Sequence, residues 1–116
     1  MKFRILLNNG LNFTFENEDT TAESLGQQLN SENITFFAVG NIMINKQNVT
    51  YITGVDVESD APLYTIYLQN GETLETHAES FNAGDLSAVL NDRRKTFAVI
   101  GDTIVTKNYI SLVVPA

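Results

Sequence analysis

Phe3-Arg4-Ile5-Leu6-Leu7-Asn8-Asn9-Gly10-Leu11-Asn12-Phe13-Thr14-Phe15 reads as a β-hairpin, and 61 residues on, Tyr64-Thr65-Ile66-Tyr67-Leu68-Gln69-Asn70-Gly71-Glu72-Thr73-Leu74 reads as the same hairpin again. Apolar residues alternate with others at period 2, the spacing of a strand with one buried face. Asn-Gly between two such runs is the strongest short-range hairpin signal and predicts a type I′ turn, in which both central residues take positive φ. The match continues outward without a gap. Phe3–Tyr51 laid over Tyr64–Leu112 gives 13 identities in 49 positions, among them Leu25/Leu86, Leu29/Leu90, Asn30/Asn91, Thr35/Thr96, Phe36/Phe97, Gly40/Gly101 and Lys46/Lys107. Unrelated segments would share roughly three or four, so the pattern predicts an internal repeat.

Each copy reads as β-β-α-β-β-β. Thr20 and Glu23 have capping-box spacing, and Ala22, Leu25 and Leu29 make one apolar helical stripe. In the second copy Asn82 takes the cap position, Asp85 the first turn, and Ala83, Leu86 and Leu90 the stripe. About nine residues make a marginal helix in isolation, so each helix is expected to lie on a sheet through its leucines. Gly40-Asn41 and Gly101-Asp102 mark reversals between the short strands that follow. The expected fold class is α+β: tandem units 3–55 and 64–114 around an exposed joint at 56–63, forming one antiparallel β-rich domain, 1–116, with pseudo-twofold symmetry and two short helices. Half the chain is too small to bury an adequate core alone, so the copies are expected to share one.

Composition narrows the function classes. Fourteen acids oppose seven Lys and Arg, for a net charge of −7. The share is −2 through Val55 (three bases, five acids) and −5 from Asp56 onward (four bases, nine acids). Such a field repels a phosphate backbone, so direct nucleic-acid binding is disfavoured. There is no cysteine, hence no disulfide, thiolate nucleophile or Cys-containing metal site. The apolar start ends at Asn8, short of a signal-peptide core, and no segment has bilayer-spanning length, so the expected location is the cytoplasm or a particle assembled there, with no membrane partner.

Residues that could carry chemistry have plainer readings. His77, the only histidine, aligns with Glu16 on a polar strand face, with no orienting partner or nucleophile near it in sequence. Glu16, Glu18 and Asp19, or Asp56, Glu58 and Asp60, offer carboxylates but not the glycine and closing glutamate of a calcium loop. Arg93-Arg94-Lys95 follows the second helix, where cations favour the helix dipole. Phe13, Phe15, Phe36 and Phe37 read as core rather than as base-stacking platforms, since no basic groove flanks them. Three Asn-x-Thr triplets, at Asn12, Asn33 and Asn48, are coincidental without a secretion signal. No cofactor motif is present.

The segment Phe37-Ala38-Val39-Gly40-Asn41-Ile42-Met43-Ile44-Asn45-Lys46-Gln47-Asn48-Val49, echoed around Gly101 and Lys107, resembles segments of small uncharacterised phage and prophage proteins of Gram-positive bacteria. The resemblance implies an origin and no active-site residue. The expected function is non-enzymatic: a protein-binding or assembly module. The alternatives are an acidic inhibitor that occupies a nucleic-acid site on a basic host protein and a structural component of a phage particle. Positions that differ between the copies are the ones free to contact a protein partner, foremost Asp56, Glu58, Asp60, Arg93, Arg94 and Lys95. Anisotropy titration with double-stranded DNA near physiological salt should show no binding. Micromolar affinity that disappears on neutralising Arg93 and Arg94 would overturn the charge argument.

Overall fold

Phe3 and Ile5 are fully buried while Lys2 and Arg4 beside them are exposed, as the period-2 pattern requires of the first strand, β1 (Lys2–Leu7). The computed structural model describes residues 1–78 and 83–116, the side chains of Ala83 and Asp85 apart, so the cap expected at Asn82 lies outside the described residues. After β1 come β2 (Asn12–Glu16), α1 (Ala22–Leu29), β3 (Phe36–Val39), β4 (Ile42–Asn45) and β5 (Val49–Val55). Then β6 (Leu63–Leu68), β7 (Thr73–His77), α2 (Ala83–Asn91), β8 (Phe97–Ile100), β9 (Thr103–Thr106) and β10 (Ile110–Pro115) repeat the order. A single 3-10 turn precedes β5 and another precedes β10, at Lys46–Asn48 and Lys107–Tyr109. The fold is α+β, rich in antiparallel strand.

The strand pairings of the two halves correspond. β1 lies between β2 and β5, β6 lies between β7 and β10, and β3–β4 and β8–β9 are hairpins. Backbone hydrogen bonds recur at the same spacing, as in Asn8 N–H to Asn48 O (2.7 Å) and Gln69 N–H to Tyr109 O (2.8 Å). The β1–β2 and β6–β7 turns differ from the expected type I′. Gly10 and Gly71 both have φ +90°, but Asn9 and Asn70 are not left-handed. Gly10 N–H bonds Leu7 O, and Leu7 N–H bonds Leu11 O across the hairpin. That is a three-residue loop, a type I turn closed by a left-handed glycine. The asparagine carboxamides stabilise it by accepting from Leu11 N–H (3.0 Å) and Glu72 N–H (2.9 Å), which removes any need for positive φ at Asn. The α1 cap is also one residue later than expected: Thr21 and Ser24 make the capping box, each side chain accepting from the other's backbone N–H. Ser24, with its short side chain, takes the role assigned to Glu23.

One ladder joins the halves. β9 adds to β5 antiparallel, with Tyr51 opposite Val105, Ile52 opposite Ile104 and Thr53 opposite Thr103, to give the five-stranded sheet β2-β1-β5-β9-β8. Both faces of its centre are buried. Ile52 and Ile104 belong to a core with Phe3, Leu25, Leu29 and Phe37; Tyr51 and Val105 belong to another with Ile66, Leu68 and Leu74. The sheet is thus a middle layer, with α1 and the β3–β4 hairpin on one side and the β10-β6-β7 sheet on the other.

The strand pairing departs from a closed twofold. Such symmetry would repeat the β5–β9 ladder between β10 and β4, yet β4 pairs only with β3 and β10 only with β6. An acceptor edge and a donor hairpin are different surfaces, so when one of each is used, one of each is left over. The helices show the result: Leu25 and Leu29 are buried, while Leu86 and Leu90, expected to match them, stay partly exposed.

α1 meets β8 so closely that a Cβ on Gly26 would lie 2.2 Å from Val99 Cγ2. Gly to Ala within a helix normally stabilises by about 1 kcal/mol. Here Gly26→Ala should destabilise, and adding Val99→Ala should restore much of the loss. Leu29→Ala should cost about 2–5 kcal/mol and Leu90→Ala clearly less. Denaturant titrations check all four; an unchanged midpoint for Leu29→Ala would mean that this helix face is not held by the core.

Candidate binding site

In the first half, the space between α1 and β5 is filled by β8 and β9. Three contacts seat them. The β9 ladder runs along β5, Gly26 admits Val99, and Asn30 at the end of α1 clamps the start of β8. The Asn30 carboxamide accepts from Thr96 N–H (3.1 Å) and Phe97 N–H (2.9 Å) and donates to Phe97 O (3.1 Å). A side chain that pairs with three backbone groups acts like a short piece of neighbouring strand.

The space between α2 and β10 is the corresponding place in the second half. It is an open groove of about 350 Å³, lined by Leu86, Leu90, Ile110, Leu112 and Val113 with Ser87, Ser111 and Lys107. β10 has no strand on this side, and Leu112 is 50% exposed. Lys107 donates to the carbonyl of Asp92, just past α2, as Lys46 donates to the Ser31 carbonyl past α1 (2.7 Å). Each lysine ties its strand-entry turn to the end of its own helix.

The β3–β4 hairpin has one face in the core, through Phe37, Val39 and Ile44. Its other face is bare: Phe36 is 52% and Met43 70% exposed, while Ile42, on the core face opposite Val39, is still 47% exposed at the hairpin end. Phe36 was expected in the core; only Phe37 is there, while Phe13 and Phe15 are half-buried at the core margin, Phe15 stacked on Phe3 at 5.3 Å. The reason lies in the pairing. Phe97, 61 residues on, is buried because β8 and β9 are covered by the first half, and nothing covers β3 and β4 in the same way.

The charged clusters singled out in the sequence are at the surface. Asp56, Glu58 and Asp60 are exposed along the joint, Asp56 in a left-handed conformation (φ 55°), beside an open polar depression of 690 Å³ at Glu58–Pro62. Arg93, Arg94 and Lys95 are exposed too, just past the end of α2, whose last turn holds no basic residue. Arg94 folds back on Asp92, Nε to Oδ1 at 3.2 Å and Nη2 to Oδ2 at 3.3 Å. The guanidinium holds the Asp92 carboxyl below its usual range, and Asp92 in turn raises Arg94. No ion pair links the two clusters among the described residues. His77 is half-buried rather than solvent-exposed, its Nδ1 2.9 Å from Ala61 O, which pins the joint to β7. No group of three His, Asp or Glu converges as a metal site would among the described residues, and no helix among them is long and apolar enough to cross a membrane.

A polar chain marks the seam between the halves. Arg4 Nη2 donates to Tyr51 Oη (3.0 Å), and Tyr51 donates to Glu72 Oε2 (3.1 Å) on the β6–β7 turn. Burial, opposed by Arg4 and reinforced by Glu72, raises the Tyr51 phenol above its ordinary value. The folded state therefore keeps this proton more tightly than the unfolded chain. Stability from that difference is complete below the ordinary phenol range and is lost as pH rises through the folded value. Unfolding free energy should fall above about pH 10, and Tyr51→Phe should remove that part of the slope. A slope unchanged in Tyr51→Phe would mean that other groups cause it. No family model matches the chain, and comparison with curated proteins and with solved structures also found no match.

Proposed function

We propose that the chain is a tandem duplication, units 3–55 and 64–114, acting as a non-enzymatic protein-binding and assembly module. Its partner adds strand to the open edge of β10 and packs side chains into the groove against α2. The 61-residue sequence repeat and the hydrogen bonds that recur at that spacing support the duplication. The observation that carries the binding role is the exposure of Phe36 (52%), Met43 (70%) and Leu112 (50%), whose counterparts Phe97, Ile104 and Tyr51 are at most 2% exposed.

Strand addition suits these surfaces. Ladder hydrogen bonds give affinity, and alternate side chains falling into pockets give specificity. Aromatic and methionine side chains are enriched at protein interfaces, whereas a small polar substrate would leave this groove's leucines uncovered. The charged run Arg93–Lys95 begins just past the end of α2, outside the groove lining, where charge affects encounter rates more than affinity. A structural component of a phage particle, the role in keeping with the resemblance around Gly40, is one form of the same reading.

Panning the purified chain against displayed strand- and hairpin-forming peptides tests it. Peptides with alternating apolar residues should be enriched, and Leu112→Asp should weaken their binding by about tenfold or more. Neutralising Glu58 and Asp60 should leave it unchanged. Enriched peptides that bind Leu112→Asp as well as the parent would place the binding surface elsewhere.

A further inference from the structure

We infer that the partner is a second copy of this chain: the β3–β4 hairpin of one molecule fills the α2–β10 groove of the next, repeating between molecules the joint that β8–β9 makes with α1 and β5 within one. The inference rests on the duplication proposed above and adds the identity of the occupant.

Moving the internal ladder by 61 residues fixes its register. Leu112 would oppose Ile44, Val113 would oppose Met43 and Val114 would oppose Ile42. The residues brought together have changed in matched pairs. Thr53 and Thr103 share a buried hydrogen bond of 2.9 Å at the internal joint; their counterparts, Val114 and Ile42, are both apolar. Tyr51 bonds Glu72; their counterparts, Leu112 and Leu11, are both apolar and are 50% and 62% exposed. Gly26 has no side chain and receives Val99; their counterparts Ser87 and Ala38 move bulk from the strand to the helix, and both are exposed. In the first two pairs polar faces polar or apolar faces apolar in each version, and in the third small still faces large or small, which is what two functioning interfaces require.

The clamp is retained as well. Asn30, Thr96 and Phe97 work together across the internal joint, and the sequence keeps Asn91, Thr35 and Phe36 at the matching positions. Within one molecule Asn91 and Phe36 are both exposed. Across two molecules they would meet. One backbone bond is lost in the copy as well: Gly54 N–H donates to Asp102 O at 2.9 Å, and its counterpart Pro115 has no N–H. Pro115 lies past the three paired positions, at the end of an edge strand, where proline is tolerated.

Donor and acceptor are different surfaces, so the contact is heterologous and propagates. It makes a ring where the rotation between successive units closes, and a filament where it does not. With −7 on every copy, the field opposes association and salt should strengthen it.

Sedimentation velocity on the intact chain, at concentrations up to about 1 mM, reads the first consequence: mass above the monomer, rising with concentration and with salt. Met43→Glu spoils the donor and Leu112→Glu the acceptor, both at exposed positions, with circular dichroism to verify folding. Each variant alone should be monomeric, and a mixture should form a dimer that goes no further, because one intact donor meets one intact acceptor. The chain has no cysteine, so Met43→Cys mixed with Val113→Cys should oxidise to a crosslinked dimer, while Met43→Cys with Ser111→Cys should not. A monomeric parent at the highest concentration, with no crosslink, overturns the inference. So do single variants that still self-associate, or a mixture that stays monomeric. Peptide binding that depends on Leu112 but without self-association would leave the binding module standing with a different partner, so the two readings fail separately.

Discussion

The β5–β9 ladder is the contact on which the rest of the structure depends. Three residue pairs set β9 against β5, and through them each hydrophobic core acquires the wall that it lacks. Phe97 and Ile104 complete the core beneath α1; Tyr51 completes the core beneath the β10-β6-β7 sheet. Neither half has enough apolar surface to close alone, as expected for units of this size. Because β5 and β9 are buried on both faces, Thr53 and Thr103 satisfy their hydroxyls on each other across the ladder.

Much of the fold was legible from the residues. The element order, the hairpins, the left-handed Gly10 and Gly71, and the buried Leu25 and Leu29 all follow from period, turn chemistry and helical spacing. Those signals are local, with their physical causes within a few residues. Details that depend on side-chain reach were less legible. Thr20 with Glu23 has the capping-box spacing in sequence, but the extended backbone at Thr21 gives the cap to Thr21 with Ser24. The Asn9 carboxamide allows a type I turn closed by Gly10 where the Asn-Gly pair alone suggests type I′.

The candidate site was barely legible, because it is defined by what is not paired. Charge and divergence between the copies drew attention to Asp56, Glu58, Asp60 and Arg93–Lys95. The structure instead puts the unsatisfied apolar surface at Phe36, Met43 and Leu112. Phe36 matches Phe97 in sequence, and with no basic groove beside it the match predicts core at both positions. The inference held for Phe97, which the first half covers, and failed for Phe36, which nothing covers. Equal sequence does not guarantee equal environment when only one of two matching hairpins is covered. One signal was available: Asn30 and Asn91 match, although a polar residue at a helix end needs no conservation for packing alone.

The internal ladder also imposes an order of events during synthesis. Thr53 and Thr103 are 50 positions apart. At the usual elongation rate of about 5–20 residues per second, β9 leaves the ribosome about 3–10 s after β5. A hairpin closes in microseconds, so throughout that interval the first half is formed as far as it can be, with the edge of β5 unfilled. What brings β8–β9 to that edge ahead of any other strand is its tether: a covalent connection that raises its effective concentration at that one position.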